Sequence, residues 1–166
     1  MKNIFKVNNK FEFVPFIVSI LISLGGGLLI GYFIKDSLKT YVSLTKPVFS
    51  PPGWVFGIVW PILYILIGIA LYRVYLTLKH ENRSYEVLVL YIVQLLLNFS
   101  WPIIFFTLRL YGISALIIII LIVLIILCII KFMKIDKVSS VLLVPYLLWC
   151  IYASYLNVMV WILNEM

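Results

Sequence analysis

Five long apolar runs take up most of this chain, at about residues 13–34, 52–78, 85–107, 111–130 and 139–163. Crossing a bilayer as an α-helix takes roughly 20 mostly apolar residues. Only a helix or a closed barrel satisfies its own backbone N–H and C=O groups in hydrocarbon. Each run is long enough, and the remainder is a basic N-terminal tail and short connections. The expected fold class is therefore an all-α membrane protein, a bundle of five transmembrane helices forming one domain over residues 1–166. Composition agrees: 65% of residues are hydrophobic and 11% charged, against about half and a quarter in soluble domains.

The first run follows "MKNIFKVNNK", which resembles the start of a cleaved signal. A signal's apolar core is only about 7–15 residues and ends at small residues. Residues 13–34 are longer and lead into "KDSLKTY", so a retained span is expected. The net charge of +7 reads as topology. Lys2, Lys6, Lys10, Lys79, Arg83, Lys131, Lys134 and Lys137, with Arg73 close by, fall on one side, and Lys35, Lys39, Lys46 and Arg109 on the other. Basic residues concentrate in cytoplasmic loops. A cell membrane with a cytoplasmic N-terminus and an external C-terminus is expected, and no nucleic-acid partner.

Several chemistries lack their residues. Cys128 and Cys150 fall inside spans, which fits neither a disulfide framework nor a metal cluster. The single histidine, His80, lies beside Lys79 and Glu81 with no ligand set around it, so no metal is expected. No glycine-rich phosphate loop or nucleophile–base pair stands out, and no cofactor is expected. No Asp, Glu, Lys or His lies deep within a span, and Arg73 and Arg109 are close enough to span ends to snorkel. That counts against proton- or sodium-coupled transport.

The spans differ in character. The fourth, "LIIIILIVLIILCII", is aliphatic all round and reads as broadly lipid-exposed. The first carries Ser19, Ser23, Gly27 and Gly31 at four-residue spacing, a stripe that lets helix backbones approach closely. It suits packing inside the bundle or a homodimer seam. The other three each gather rings, amides and small residues on one face: Gly57, Trp60, Tyr64 and Gly68; Gln94, Asn98, Trp101 and Phe105; Tyr146, Trp149, Ala153 and Asn157. Polar side chains in hydrocarbon face a protein interior or a cavity. Singly, these residues suit ordinary interhelical bonding or the membrane interface; together, the three stripes suggest one intramembrane pocket.

The segment "KPVFSPPGWVFGIVWPILY" opens the second span after the longest connection, residues 35–51, which could fold over a pocket as a lid. With "QLLLNFSWPIIFF" and "VPYLLWCIYASYLNVMVW", it resembles the signature segments of the TspO/MBR family, the tryptophan-rich sensory proteins, translocator proteins and peripheral-type benzodiazepine receptors. The order of the segments and the five-span layout match over nearly the whole chain.

The resemblance implies a homodimeric five-helix bundle that binds porphyrins and other flat hydrophobic small molecules beneath the first loop. In some bacterial members it implies light- and oxygen-dependent porphyrin breakdown relying on two tryptophans, which map to Trp60 and Trp149. The family's pocket positions map to Pro51, Trp60, Tyr64, Asn98, Trp101, Trp149, Ala153 and Asn157, with Phe105 and Tyr146 on the same faces. This chain departs from the family at Phe49 and Phe99, where tryptophan is usual, which keeps a ring and loses the indole N–H. Val158 and Ile162 stand where a sterol motif needs tyrosine and a basic residue, so sterol recognition is not carried over. The function expected is porphyrin binding with a sensory or regulatory role. Light-driven degradation is open, and the alternatives are a transporter or exchanger of porphyrins or lipids and a structural membrane partner.

Overall fold

The computed structural model describes residues 4–166, apart from the side chains of Leu38 and Thr40; Lys2, counted above on the basic side, lies outside the described residues. Five helices are long and apolar enough to cross a membrane: Phe13–Ile34, Gly53–His80, Glu86–Thr107, Tyr111–Met133 and Lys137–Asn164, the first to fifth spans. Among the described residues there is no strand beyond one isolated bridge, Val7 to Lys10. The all-α, five-span fold expected from the sequence is the fold observed. The first span packs on the second and third, the third on the fourth, and the fourth on the fifth. The start of the fifth returns to the second and closes the ring.

Local chemistry explains where the spans bend and stop. The second span runs to His80, two residues past its expected end. Asn82 then turns left-handed (φ 50) and the Arg83 N–H reaches back to the Leu78 carbonyl at 3.0 Å. That pairing stops a helix by satisfying its last carbonyls. Pro145 lacks an N–H, and the fifth span is interrupted at Leu143, between Lys137–Leu142 and Val144–Asn164. Pro102 acts likewise in the third span, where residues Ile103–Thr107 widen into a π turn. A second π turn, Leu21–Gly25, lies in the first span beside the Gly25–Gly27 run.

One expectation about exposure is corrected. The fourth span is not uniformly lipid-facing: Tyr111, Ser114, Ile118, Leu121, Ile125, Cys128 and Phe132 are all buried, at alternating spacings of three and four. This is an inward seam, invisible in the sequence because the outward face is equally aliphatic. The first span is instead the least buried, with Phe13, Val14, Leu21, Leu28, Leu29, Tyr32 and Phe33 exposed.

Arg73 does not snorkel. It is 5% exposed, and its Nε and Nη2 donate to the two Asp136 carboxylate oxygens at 2.7 and 2.9 Å. Its Nη1 donates to the carbonyls of Ile4 and Lys6, and Ser139 donates to Asp136 through both N–H and Oγ. A buried guanidinium is tolerated when it is paired and hydrogen-bonded, and here the loop between the fourth and fifth spans and the N-terminal tail together accept four bonds from it. The tail is thereby tied down. A tight turn at Asn8–Asn9, both left-handed, folds Val7 onto the bundle, and the Tyr72 hydroxyl accepts the Glu12 N–H.

Burial alone would raise the Asp136 pKa, but the bonds from Arg73 and Ser139 outweigh it and hold the carboxyl below its usual range. Because the folded value lies below the unfolded one, this stabilisation is complete above the ordinary carboxylate range and is lost as pH falls through the folded value. Asp136→Ala should cost about 3 kcal/mol by leaving Arg73 buried and unpaired. Thermal melts in detergent, repeated as the pH is lowered, should show the wild type losing its advantage over the variant in acid. Equal melting at neutral pH would count against the pair as an anchor.

Candidate functional site

The third span supplies the bundle's polar spine. Tyr91, Gln94, Asn98 and Trp101 recur every three or four residues and are all buried. Together they reach the first, second and fifth spans. The Tyr91 hydroxyl shares a 2.7 Å bond with Ser23 Oγ of the first span. Gln94 Oε1 accepts from the Tyr146 hydroxyl of the fifth at 3.0 Å. Asn98 Oδ1 accepts from Tyr64 of the second at 2.6 Å. Trp101 Nε1 donates to Asn157 Oδ1 at 2.8 Å, and Asn157 Nδ2 donates on to the Tyr111 carbonyl of the fourth. In hydrocarbon these groups have no water to turn to, so the ladder sets the rotation of each helix.

A cavity of about 470 Å³ opens between the first three spans. Phe56, Trp60, Trp101 and Phe106 supply ring surface, the Tyr64–Asn98 pair a polar patch, and Gly27, Gly31 and Gly57 the room. Trp60 stacks on Tyr64 with centroids 5.5 Å apart. The first-span glycines make this possible. A Cβ on Gly27 would lie 2.2 Å from the Tyr64 ring, and one on Gly26 would lie 2.5 Å from Phe99. Lys35 stands at the rim with its ammonium 4.2 Å from the Tyr32 ring centroid. Leu28 and Tyr32, also on the lining, are more than half exposed, so the cavity opens on the flank of the bundle.

The fifth-span stripe does not reach this cavity, which corrects the expected convergence of three stripes on one pocket. Its third wall is the first span. Ala153 and Asn157 instead line an adjoining cleft of about 20 Å³ with Tyr41 and Phe105, and Phe56, Trp101 and Phe106 border both spaces; the cleft has room for about one water molecule. The physical reason is a row of rings. Phe56 packs edge-on against Trp149 at 5.8 Å, and Trp60 against Tyr146 at 6.5 Å, closing the gap between the second and fifth spans. Trp60, Tyr64, Asn98 and Trp101 therefore line the large cavity, while Trp149 and Tyr146 stand one ring behind it. Phe99 packs against Tyr64.

Phe49 and Pro51 belong to the connection over the bundle's end and line neither space. Phe49 is 76% exposed, its carbonyl accepting from the Tyr152 hydroxyl at 2.6 Å, and the Pro51 carbonyl accepts from Tyr41. A short helix, Leu38–Ser43, seats Tyr41 against Phe56 and Phe106, and Asn164 clasps both backbone groups of Thr45. Of the small-residue stripe, Ser19 and Ser23 are buried within the chain's own bundle, Gly27 abuts Tyr64, and Gly31 lines the cavity.

Three lining rings were not singled out from the sequence: Phe56, Phe106 and Tyr32, the last beside Gly31. Phe56 lies one helical step before Trp60 on the same face, a legible signal. Phe106 was not legible. Regular spacing selects Phe105, but the π turn at Ile103–Thr107 adds a residue to that turn and rotates Phe106 onto the large cavity. Asn98→Leu should cost about 1–2 kcal/mol by leaving the Tyr64 hydroxyl buried without its acceptor. Adding Tyr64→Phe should recover most of that loss, since removing both partners is nearly neutral. Thermal melts of the three variants check it. Additive losses would show that the two groups are not coupled.

The TspO/MBR family model matches residues 19–162. The chain is 39% identical to the tryptophan-rich protein TspO of Archaeoglobus fulgidus, over 89% of this chain and 95% of that protein. It is 31% identical to the translocator protein of Bos taurus, over 89% and 88%, and 34% identical to the protein CrtK of Rhodobacter capsulatus, over 75% and 78%. Five membrane-spanning helices, the signature segments and a match spanning most of the chain agree: this multi-pass membrane protein belongs to the TspO/MBR family.

Proposed function

We propose that the protein binds a porphyrin or a similarly flat, hydrophobic tetrapyrrole in the cavity between its first three spans, in a sensory or regulatory role. One observation carries the reading. The cavity, about 470 Å³, is walled by six aromatic rings, with the Tyr64–Asn98 pair as its polar patch and Lys35 at its rim. Small-molecule sites are about 300–1,000 Å³, mostly apolar, with a few placed polar groups. Aromatic faces favour a flat π-system, Tyr64 and Asn98 can meet polar edges, and Lys35 can pair with a peripheral carboxylate kept near water. The opening on the flank supports loading from the bilayer, which also suits an exchanger. Family membership supports a homodimer as the working assembly, with contacts other than Ser19, Ser23 and Gly27, which are committed inside the bundle. The charge distribution supports a cytoplasmic N-terminus in a cell membrane.

Titrating protoporphyrin into the purified protein in detergent, in the dark, should quench tryptophan fluorescence saturably and shift the Soret band. Trp60→Leu should weaken binding about tenfold through lost stacking, while Trp149→Leu should change it less than about twofold, since only the Trp60 ring lines the cavity. Absence of saturable binding would sink the proposal. Oxygen-dependent loss of the Soret band under illumination, faster with protein than without, would add degradation to binding.

A further inference from the structure

A second concavity lies at the opposite end of the bundle from the ring-lined cavity, where the second and fourth spans end and the third begins. It measures about 330 Å³ and is lined by Leu78, Val87, Leu90 and Ile135 below, with Arg83, Lys131 and Lys134 around it and Glu86 and Ser84 at the edge. Three cations against one carboxylate leave the rim at +2. Arg83 is partly answered by Glu81 at 3.1 Å. Lys131 and Lys134 are exposed and form no salt bridge among the described residues.

We propose that this groove is a binding site for the phosphate headgroup of an anionic phospholipid, with the start of an acyl chain lying on its apolar floor. Three features converge on that ligand. The lysines sit at the end of the fourth span, Lys131 in its last turn and Lys134 just past it, and the ends of a spanning helix meet the headgroup region. The floor is apolar, which a free anion has no use for. The groove is on the chain's basic side, and basic pockets between helix ends hold anionic headgroups. Its walls are set by backbone: the left-handed Asn82 and the Arg83-to-Leu78 bond fix one lip, and the Ile135 and Asp136 N–H bonds to the Phe132 carbonyl fix the other.

The test uses the full chain in detergent, titrated with phosphatidylglycerol or phosphatidylcholine of identical acyl chains and read by native mass spectrometry and thermal melting. Wild type should bind phosphatidylglycerol on the order of tenfold more tightly, given that each basic residue near a headgroup contributes about a fivefold factor. Lys131→Gln with Lys134→Gln should abolish most of that preference, and Lys131→Arg with Lys134→Arg should keep it. Lys10→Gln with Lys137→Gln removes equal charge from the same side and should leave the preference intact. An equal loss in that control, or no preference in wild type, would overturn the site. If inorganic phosphate displaced the lipid and raised the melting temperature as much as the lipid does, the ligand would be phosphate alone and the lipid assignment would fall.

Discussion

Everything in this bundle depends on the rule that a polar group inside hydrocarbon must find its partner within the protein. The third span carries four such groups on one face, and the second, first and fifth spans each offer the matching atom: Tyr64, Ser23, and Tyr146 with Asn157. Apolar packing alone would leave the helices free to rotate, because lipid tails solvate leucine as well as another helix does. The ladder removes that freedom. At the basic end Arg73 and Asp136 do the same work with charge, binding the tail, the second span and the fourth-to-fifth loop at one point.

Once rotation is set, ring size decides where space is left. Phe56, Trp60, Tyr146 and Trp149 close the gap between the second and fifth spans. Gly27 and Gly31 thin the first span, so the unfilled volume falls between spans one, two and three. The same glycines that seat Tyr64 thus decide which wall of the bundle can take a ligand. The connection above is held by Tyr41, Tyr152 and Asn164 rather than by hydrophobic contact of Phe49, whose ring faces outward.

Much of the site was legible because its residues are unusual for a membrane. Trp60, Tyr64, Asn98 and Trp101 stand out in an aliphatic background, and their spacing puts them on inward faces. Legibility failed where regular helical spacing failed. The π turn after Pro102 exchanged Phe105 for Phe106 on the large cavity. It failed again for Arg73, whose partner Asp136 lies 63 residues away, beyond two further spans. Tyr146, Ala153 and Asn157 are buried and Trp149 is partly so, yet a helical face says nothing about which cavity it borders.

By itself the sequence determined the number of spans, their approximate ends, the all-α class and the set of residues too polar or too large to face lipid. Each of these follows from a local cost: unsatisfied backbone in hydrocarbon, or an amide without a partner. Only the tertiary structure decided which face of the aliphatic fourth span turns inward, that the first span rather than the fifth walls the cavity, and that the fifth-span stripe borders a smaller adjoining cleft. In a membrane, inside and outside are equally apolar, so hydrophobicity carries no signal for facing. Which voids remain is settled only when side chains from different spans meet.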